Sequence, residues 1–297
     1  MSQQVALLIG GLAVGSIYAL VALGYVIVFK SSNTLNFAHV AIMLLGTYLV
    51  YQGTSRWNLS FWPAVMVAAL LCGAASGILY LLVAAPLVGR SIFAIAIATI
   101  GAETAIRSGI GSYRPWGGDN IEVGSPWGSD TTAVFGAQVF TSQLWLIGTA
   151  VAVVLFLVIT LRRSRWGVLF RAIADDEEAS AANGVNVKVV LVGAWIAAGM
   201  LAAIAGAFAG VFPRLIFPST PEIALRSLPA VVIGGMDSVG GAVIGGSIIG
   251  LVEVYAARYG PSSLGGNFHL VAAYVVMALV LLLRPQGLFG KAEVRRV

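Results

Sequence analysis

The chain predicts an all-α, polytopic membrane bundle of about eight to nine transmembrane segments, including a short broken-helix hairpin. Its 297 residues are 59% hydrophobic and only 10% charged, whereas soluble domains average about 25% charged residues. Apolar runs recur along nearly the whole length, and a run of roughly 18–25 residues crosses the hydrocarbon core as a helix. There are 36 glycines, several at the small-xxx-small spacing that lets membrane helices approach closely: Gly206/Gly210, Gly241/Gly245 and Gly246/Gly250. Backbone groups in lipid must pair internally, so only helices or a closed barrel can span. No ten-residue polar/apolar alternation of the barrel kind is present.

Taken in order, the first run (5–29) lacks a basic leader and is too long for a signal-peptide core, so it is expected as a retained span. The second (34–51) opens on Asn33, Asn36 and His39 at three-residue spacing, which either line a polar translocation path or hydrogen-bond across helices. The third (61–85) holds Cys72, the single cysteine, which excludes an intrachain disulfide and a cysteine metal cluster. In the fourth (91–111), Glu103 and Arg107 stand four apart and can pair on one helix face. Ionisable groups inside a span are costly and are candidate functional residues, although a self-neutralised pair that braces the bundle is an equal reading.

A connection over 112–141 carries Tyr113, Trp116, Trp127 and Phe135, residue types that seek the membrane–water interface. Asp119, Glu122 and Asp130 are available there for polar docking. After a fifth span (142–162) comes the most informative segment, the loop 163–189. A basic cluster (Arg162, Arg163, Arg165, Arg171) precedes Asp175, Asp176, Glu177, Glu178, Ala181 and Ala182, a composition that favours a helix. Gly184 can end that helix in a left-handed cap. So short a helix is unstable alone, and it is either a docking element or a solvated connector.

Spans at 190–212, 223–236, 239–257 and 268–284 complete the chain. Gly234, Gly235, Asp237, Gly240 and Gly241 interrupt the run 223–257 and make a poor helix interior, so a hairpin of two short helices is expected there. Glu253 and His269 are single polar groups, read first as helix–helix bonds, with Glu253 also a candidate for the path.

Lys and Arg gather in cytoplasmic loops. Placing Lys30, Arg90, the 162–190 cluster and the tail (Arg284, Lys291, Arg295, Arg296) inside leaves Arg56, Arg114, Arg214, Arg226 and Arg258 outside. The N-terminus is then outside and the C-terminus cytoplasmic. An even number of crossings must link 190 to 284, which the broken hairpin supplies, its tip at the cytoplasmic side. The whole of 1–297 reads as one transmembrane domain, with 112–141 an extracytoplasmic loop and 163–189 a cytoplasmic loop.

No phosphate-binding Gly-x-x-x-x-Gly-Lys-[Ser/Thr] loop occurs, nor a Gly-x-Ser-x-Gly or His-Glu-x-x-His motif. The chain is not expected to be an enzyme. The acidic run followed by Ala-x-x-x-Gly, here Asp175 through Glu178, Ala181, Ala182, Gly184 and Val185, resembles the coupling-helix loop of ATP-binding-cassette importer permeases. Asn36-Phe37-Ala38-His39 followed by Leu44-Leu45-Gly46-Thr47-Tyr48 resembles the second-span signature of branched-chain amino acid permeases. The glycine-rich segment Ile233–Gly246 and the ending Leu283–Gly290 resemble the same family, so that nearly the whole chain is covered. Val40 and Ala41 depart from it, standing where the family usually has Gly and an acidic residue.

The resemblance implies a permease subunit of a bacterial inner-membrane importer for branched-chain amino acids or similar small zwitterionic or neutral solutes. It implies as partners a second, identical or homologous permease, two ATPase subunits holding ATP and Mg, and an extracytoplasmic binding protein. No cofactor is expected in this chain, and no nucleic acid. Arg171 and Asp175–Gly184 would then couple ATPase motion to the spans. Alternatives are a permease for urea or short amides, or an ion-coupled secondary transporter, for which Glu103 and Glu253 are the carboxylates well inside spans.

Overall fold

The computed structural model describes residues 2–88, 90–113, 116, 123–211, 226–261 and 268–290. It is a helical bundle built around its first helix. α1 (Ser2–Ser32) is apolar on every side and buried nearly all round from Ile9 to Val28, as expected of a helix enclosed by others. α2 (His39–Ser55) follows after a break, and α3 (Phe61–Leu79) continues into a π turn (Tyr80–Ala84) and a 3₁₀ turn (Ala85–Leu87). α4 (Ile92–Ser112) lies at the edge of the bundle. α5 (Thr141–Arg163), the short pair α6 (Arg165–Asp175) and α7 (Glu177–Ala182), and α8 (Val187–Val211) come next. α9 (Ser227–Gly234) and α10 (Val239–Tyr259) form a hairpin, and α11 (Phe268–Leu283) closes the described chain.

Among the described residues, six helices are long and apolar enough to cross a membrane, and α11 is a shorter apolar helix. The chain is a polytopic helical membrane protein. α9, at 8 residues, is only about 12 Å long and reaches part-way through a bilayer.

The three small-xxx-small pairs all pack helices. Gly246 and Gly250 meet Gly11, Gly15 and Ala19 of α1, so a Cβ on Gly15 would stand 2.8 Å from the Gly246 carbonyl oxygen. Gly241 and Gly245 meet Gly234 and Ala230 of α9, and Gly206 and Gly210 meet Met43 and Thr47 of α2. Without a hydrophobic force between helices in lipid, such backbone-to-backbone packing supplies much of the association.

These contacts fix the ends of the bundle. α1 and α10 run antiparallel, and Gln4 Nε2 donates to Tyr259 Oη at 2.7 Å. The start of α5 sits beside the start of α1, with Gln143 3.8 Å from the Cβ position of Gly10. The opposite end therefore collects Lys30, Arg162, Arg163 and the tip of the α9–α10 hairpin. There the Leu288 amide donates to the Ile233 carbonyl at 2.7 Å and Phe289 to Gly234 at 3.2 Å, binding the post-α11 segment to the tip.

Three expectations need correction. The chain is not purely helical: β1 (Thr131–Val134) and β2 (Ala137–Phe140) pair antiparallel. Phe135 and Gly136 turn between them with φ 47° and 76°, both positive as a two-residue primed turn requires. The second span begins at His39 rather than 34. The helix expected within 163–189 is two helices, broken at Asp176. Of the residues assigned above, Arg114, Asp119, Glu122, Arg214, Lys291, Arg295 and Arg296 lie outside the described residues.

Candidate functional site

The α6–α7 pair leaves the bundle at the end that carries the basic residues. Ser164 caps α6, its hydroxyl accepting from the Gly167 amide at 2.9 Å, and Phe170 and Ile173 bury the inner face. Arg171 donates to the Leu161 carbonyl, which ties α6 back to α5, where the basic last turn meets orphan carbonyls. Arg171 thus holds the pair in place. Asp175 ends α6, and Asp176 turns extended (φ −158°) and caps α7, accepting from the Ala179 amide at 2.8 Å. At the other end Gly184 takes φ +82°. Its amide donates to Ala181 at 3.0 Å and that of Val185 to Ser180 at 3.1 Å, the paired bonds of a Schellman cap. Ser180 is buried, while Glu178, Ala181 and Ala182 face out. A six-residue helix capped at both ends and exposed at every residue but Ser180 presents a small-residue surface.

The polar residues of the second motif divide. Asn33 sits in the α1–α2 break with φ 49°, a left-handed conformation that asparagine tolerates. Asn36 is 1% exposed, and its Oδ1 accepts from the Ala38 amide at 3.1 Å. His39 is equally buried, its ring lying where Gly24 leaves room for it and 4.8 Å from the Tyr25 ring. His39 therefore belongs to the seam between α1, α2 and α8, and Asn33 borders a cavity. Gly24, which that seam requires, carries no signal of its own in the sequence.

Glu103 and Arg107 pair as the spacing predicts, Nε to Oε1 at 3.1 Å and Nη2 to Oε2 at 3.2 Å. They stand at the margin of the exposed face of α4, the Glu103 side chain only 12% exposed, and the second half of that face exposes Gly101, Thr104, Ala105, Ser108 and Gly111. Gly101, Gly109 and Gly111 meet nothing within 4 Å. By contrast α3, α5 and α11 expose Leu70, Leu82, Phe156, Ile159 and Leu282, ordinary lipid-facing residues. An ion pair and hydroxyls are disfavoured against hydrocarbon, so this face of α4 is built for water or protein.

Two cavities lie along α4. Near its end, Gln52, Trp57, Ile106, Tyr113 and Trp116 line a groove of about 410 Å³. Trp116 Nε1 donates to Gln52 Oε1 at 3.0 Å. Near its start, Asn33, Tyr80, Arg90 and Glu177 border a cavity of about 230 Å³. Sequence reasoning missed both, since their walls come from separate segments. Glu253 is elsewhere: 3% exposed on α10, it accepts from Tyr18 Oη at 2.5 Å and meets the Arg226 guanidinium at 3.4 Å. Arg226, placed on the outer side by the charge count, is this carboxylate's partner.

A bundle of apolar helices, close-packed on glycine, with a capped helix pair projecting at one end, defines a polytopic membrane protein. The match to a family model goes further: residues 7–284 fit the permease component of branched-chain amino acid transport systems. The chain belongs to that family. It is 30% identical to the high-affinity branched-chain amino acid transport system permease protein LivH of Escherichia coli K12, over 97% of this chain and 96% of that one. BraD of Pseudomonas aeruginosa, a permease protein of the same description, is also 30% identical, over 98% and 97%. The fructose import permease protein FrcC of Rhizobium meliloti is 31% identical, over 71% and 58%. Among solved structures, PsaBC from Streptococcus pneumoniae in complex with Fab aligns with a TM-score of 0.51 at 14% identity, covering 93% of this chain and 91% of that one, a likeness of fold alone.

Proposed function

We propose that this chain is the membrane subunit of an ATP-driven importer of branched-chain amino acids or close zwitterionic and neutral analogues, in a bacterial inner membrane. The substrate class follows the family description and the relatives matched over nearly their full length. The observation that carries the mechanism is α7, capped by Asp176 and Gly184 and exposing Glu178, Ala181 and Ala182. Two ATPase subunits, holding ATP and Mg, dock through this helix and its counterpart in a second permease. The N-terminus is external, the α6–α7 pair and the hairpin tip are cytoplasmic, and the 112–141 segment meets an extracytoplasmic binding protein.

The polar second half of α4, beside the outer groove, forms this subunit's wall of the translocation path. Arginines neutralise both Glu103 and Glu253, which argues against either as the coupling site of an ion-driven carrier. The test is co-purification from native membranes with Glu178→Arg and Gly184→Arg in parallel. An ATPase retained by wild type and lost from both variants supports the reading. An ATPase absent from wild type in mild detergent removes its mechanical basis.

A further inference from the structure

The cavity at the start of α4 draws its wall from several elements, Ser32 of α1 and Ile95 of α4 among them. Asn33 and Thr34 come from the α1–α2 break, Tyr80 from the π turn, Arg90 from the approach to α4, Glu177 from α7 and Leu191 from α8. The Thr34 hydroxyl is itself 2.8 Å from that of Ser32. Arg90 and Glu177 carry opposite charges into one space of about 230 Å³, yet neither is in an ion pair with a described residue; those pairs are Arg107–Glu103 and Arg226–Glu253. Two opposite charges held apart on one cavity wall leave a place for a ligand that bears both. A guanidinium matches a carboxylate through its planar fork, and a carboxylate matches an ammonium.

Resting on the function proposed above, we infer that this cavity is an exit-side subsite for an α-amino acid. Arg90 receives the carboxylate, Glu177 the ammonium, and Leu191 the aliphatic side chain. Glu177, the first residue of α7, lines the cavity, whereas Glu178 beside it does not; both are exposed. One residue of the helix thus touches cargo while its neighbour faces the ATPase. A ligand that bridges α7 and α4 favours the arrangement in which they are close. Movement of α7 separates the two charges and dismantles the site, so release is tied to the ATPase cycle.

The test uses the complete permease–ATPase complex in nanodiscs without the binding protein. L-Leucine binding is measured directly, and 4-methylpentanoate (no ammonium) and isopentylamine (no carboxylate) are measured as competitors. Arg90→Gln is expected to weaken leucine and 4-methylpentanoate at least tenfold and leave isopentylamine unchanged. Glu177→Gln is expected to weaken leucine and isopentylamine and spare 4-methylpentanoate. Thermal midpoints within the wild-type error establish that both variants are folded. Leucine binding equal to wild type in both variants, or equal losses of all three ligands, overturns the subsite while leaving the importer reading intact if the wild-type complex still transports leucine. A wild-type complex that neither binds nor transports any amino acid overturns both.

Discussion

The caps of α7 offer a quantitative perturbation. The helix has six residues, far below the roughly 12–15 at which an isolated helix becomes even marginally stable, so its order depends on its two ends. Asp176→Ala removes the side chain that accepts from the Ala179 amide at 2.8 Å, and losing such a cap costs about 1 kcal/mol. Gly184→Ala places a Cβ on a residue with φ +82°, again about 1 kcal/mol. Each change lowers the order–disorder equilibrium constant of α7 about fivefold, and the pair together about 30-fold. If the ATPase binds only ordered α7, its affinity for the permease in nanodiscs falls by up to the same factors, reaching them once the disordered form predominates. Asp175→Ala is the control: that residue ends α6 and caps nothing, so its effect stays within about 0.5 kcal/mol. The reasoning is refuted if the double variant binds the ATPase as tightly as wild type, or if Asp175→Ala weakens binding as much as Asp176→Ala.

Arg226→Ala strips a partner from the buried Glu253 carboxylate and should lower stability by about 3–5 kcal/mol; Glu253→Leu with Arg226→Met should recover most of the loss of thermal midpoint in detergent. Gly246→Val drives a side chain into the backbone at Ala19 and should abolish recovery of monodisperse permease, whereas Gly240→Ala, with nothing within 4 Å, should purify normally. Asp237→Cys should react with an impermeant maleimide from the cytoplasmic side only. Cys72 is fully buried and contributes no background, and labelling from outside would invert the assigned topology.

What could be read without the fold was whatever local chemistry decides. Apolar length placed α1, α3, α4, α5, α8 and α10 to within a few residues. Glycines beside Asp237 marked the hairpin break, found at Gly235–Ser238, and the lone Gly184 marked the end of α7. The Glu103–Arg107 pair was legible because both residues sit on one helix. The errors came from short polar side chains that bond their own backbone. Asn36 takes the Ala38 amide and delays α2 to His39, and Asp176 starts a new helix rather than continuing the old one. The β hairpin escaped notice because four-residue strands are too short to show alternation. The Tyr18–Glu253–Arg226 cluster and the Arg90–Glu177 cavity join distant segments, and nothing in either segment announces the other.

The enclosure of α1 also sets the order in which the molecule is made. α1 owes its tightest seam to a helix made much later, and Tyr18 precedes Glu253 by 235 residues. At about 5–20 residues per second, the glycine row of α1 waits on the order of ten to fifty seconds for Gly246 and Gly250 to arrive. In that interval lipid or the insertion machinery must occupy the place that α10 will take. A chain cut short before Val239 therefore carries its longest helix with an open groove down one side. That is a plain chemical mark, in the bilayer, of a permease that was never finished.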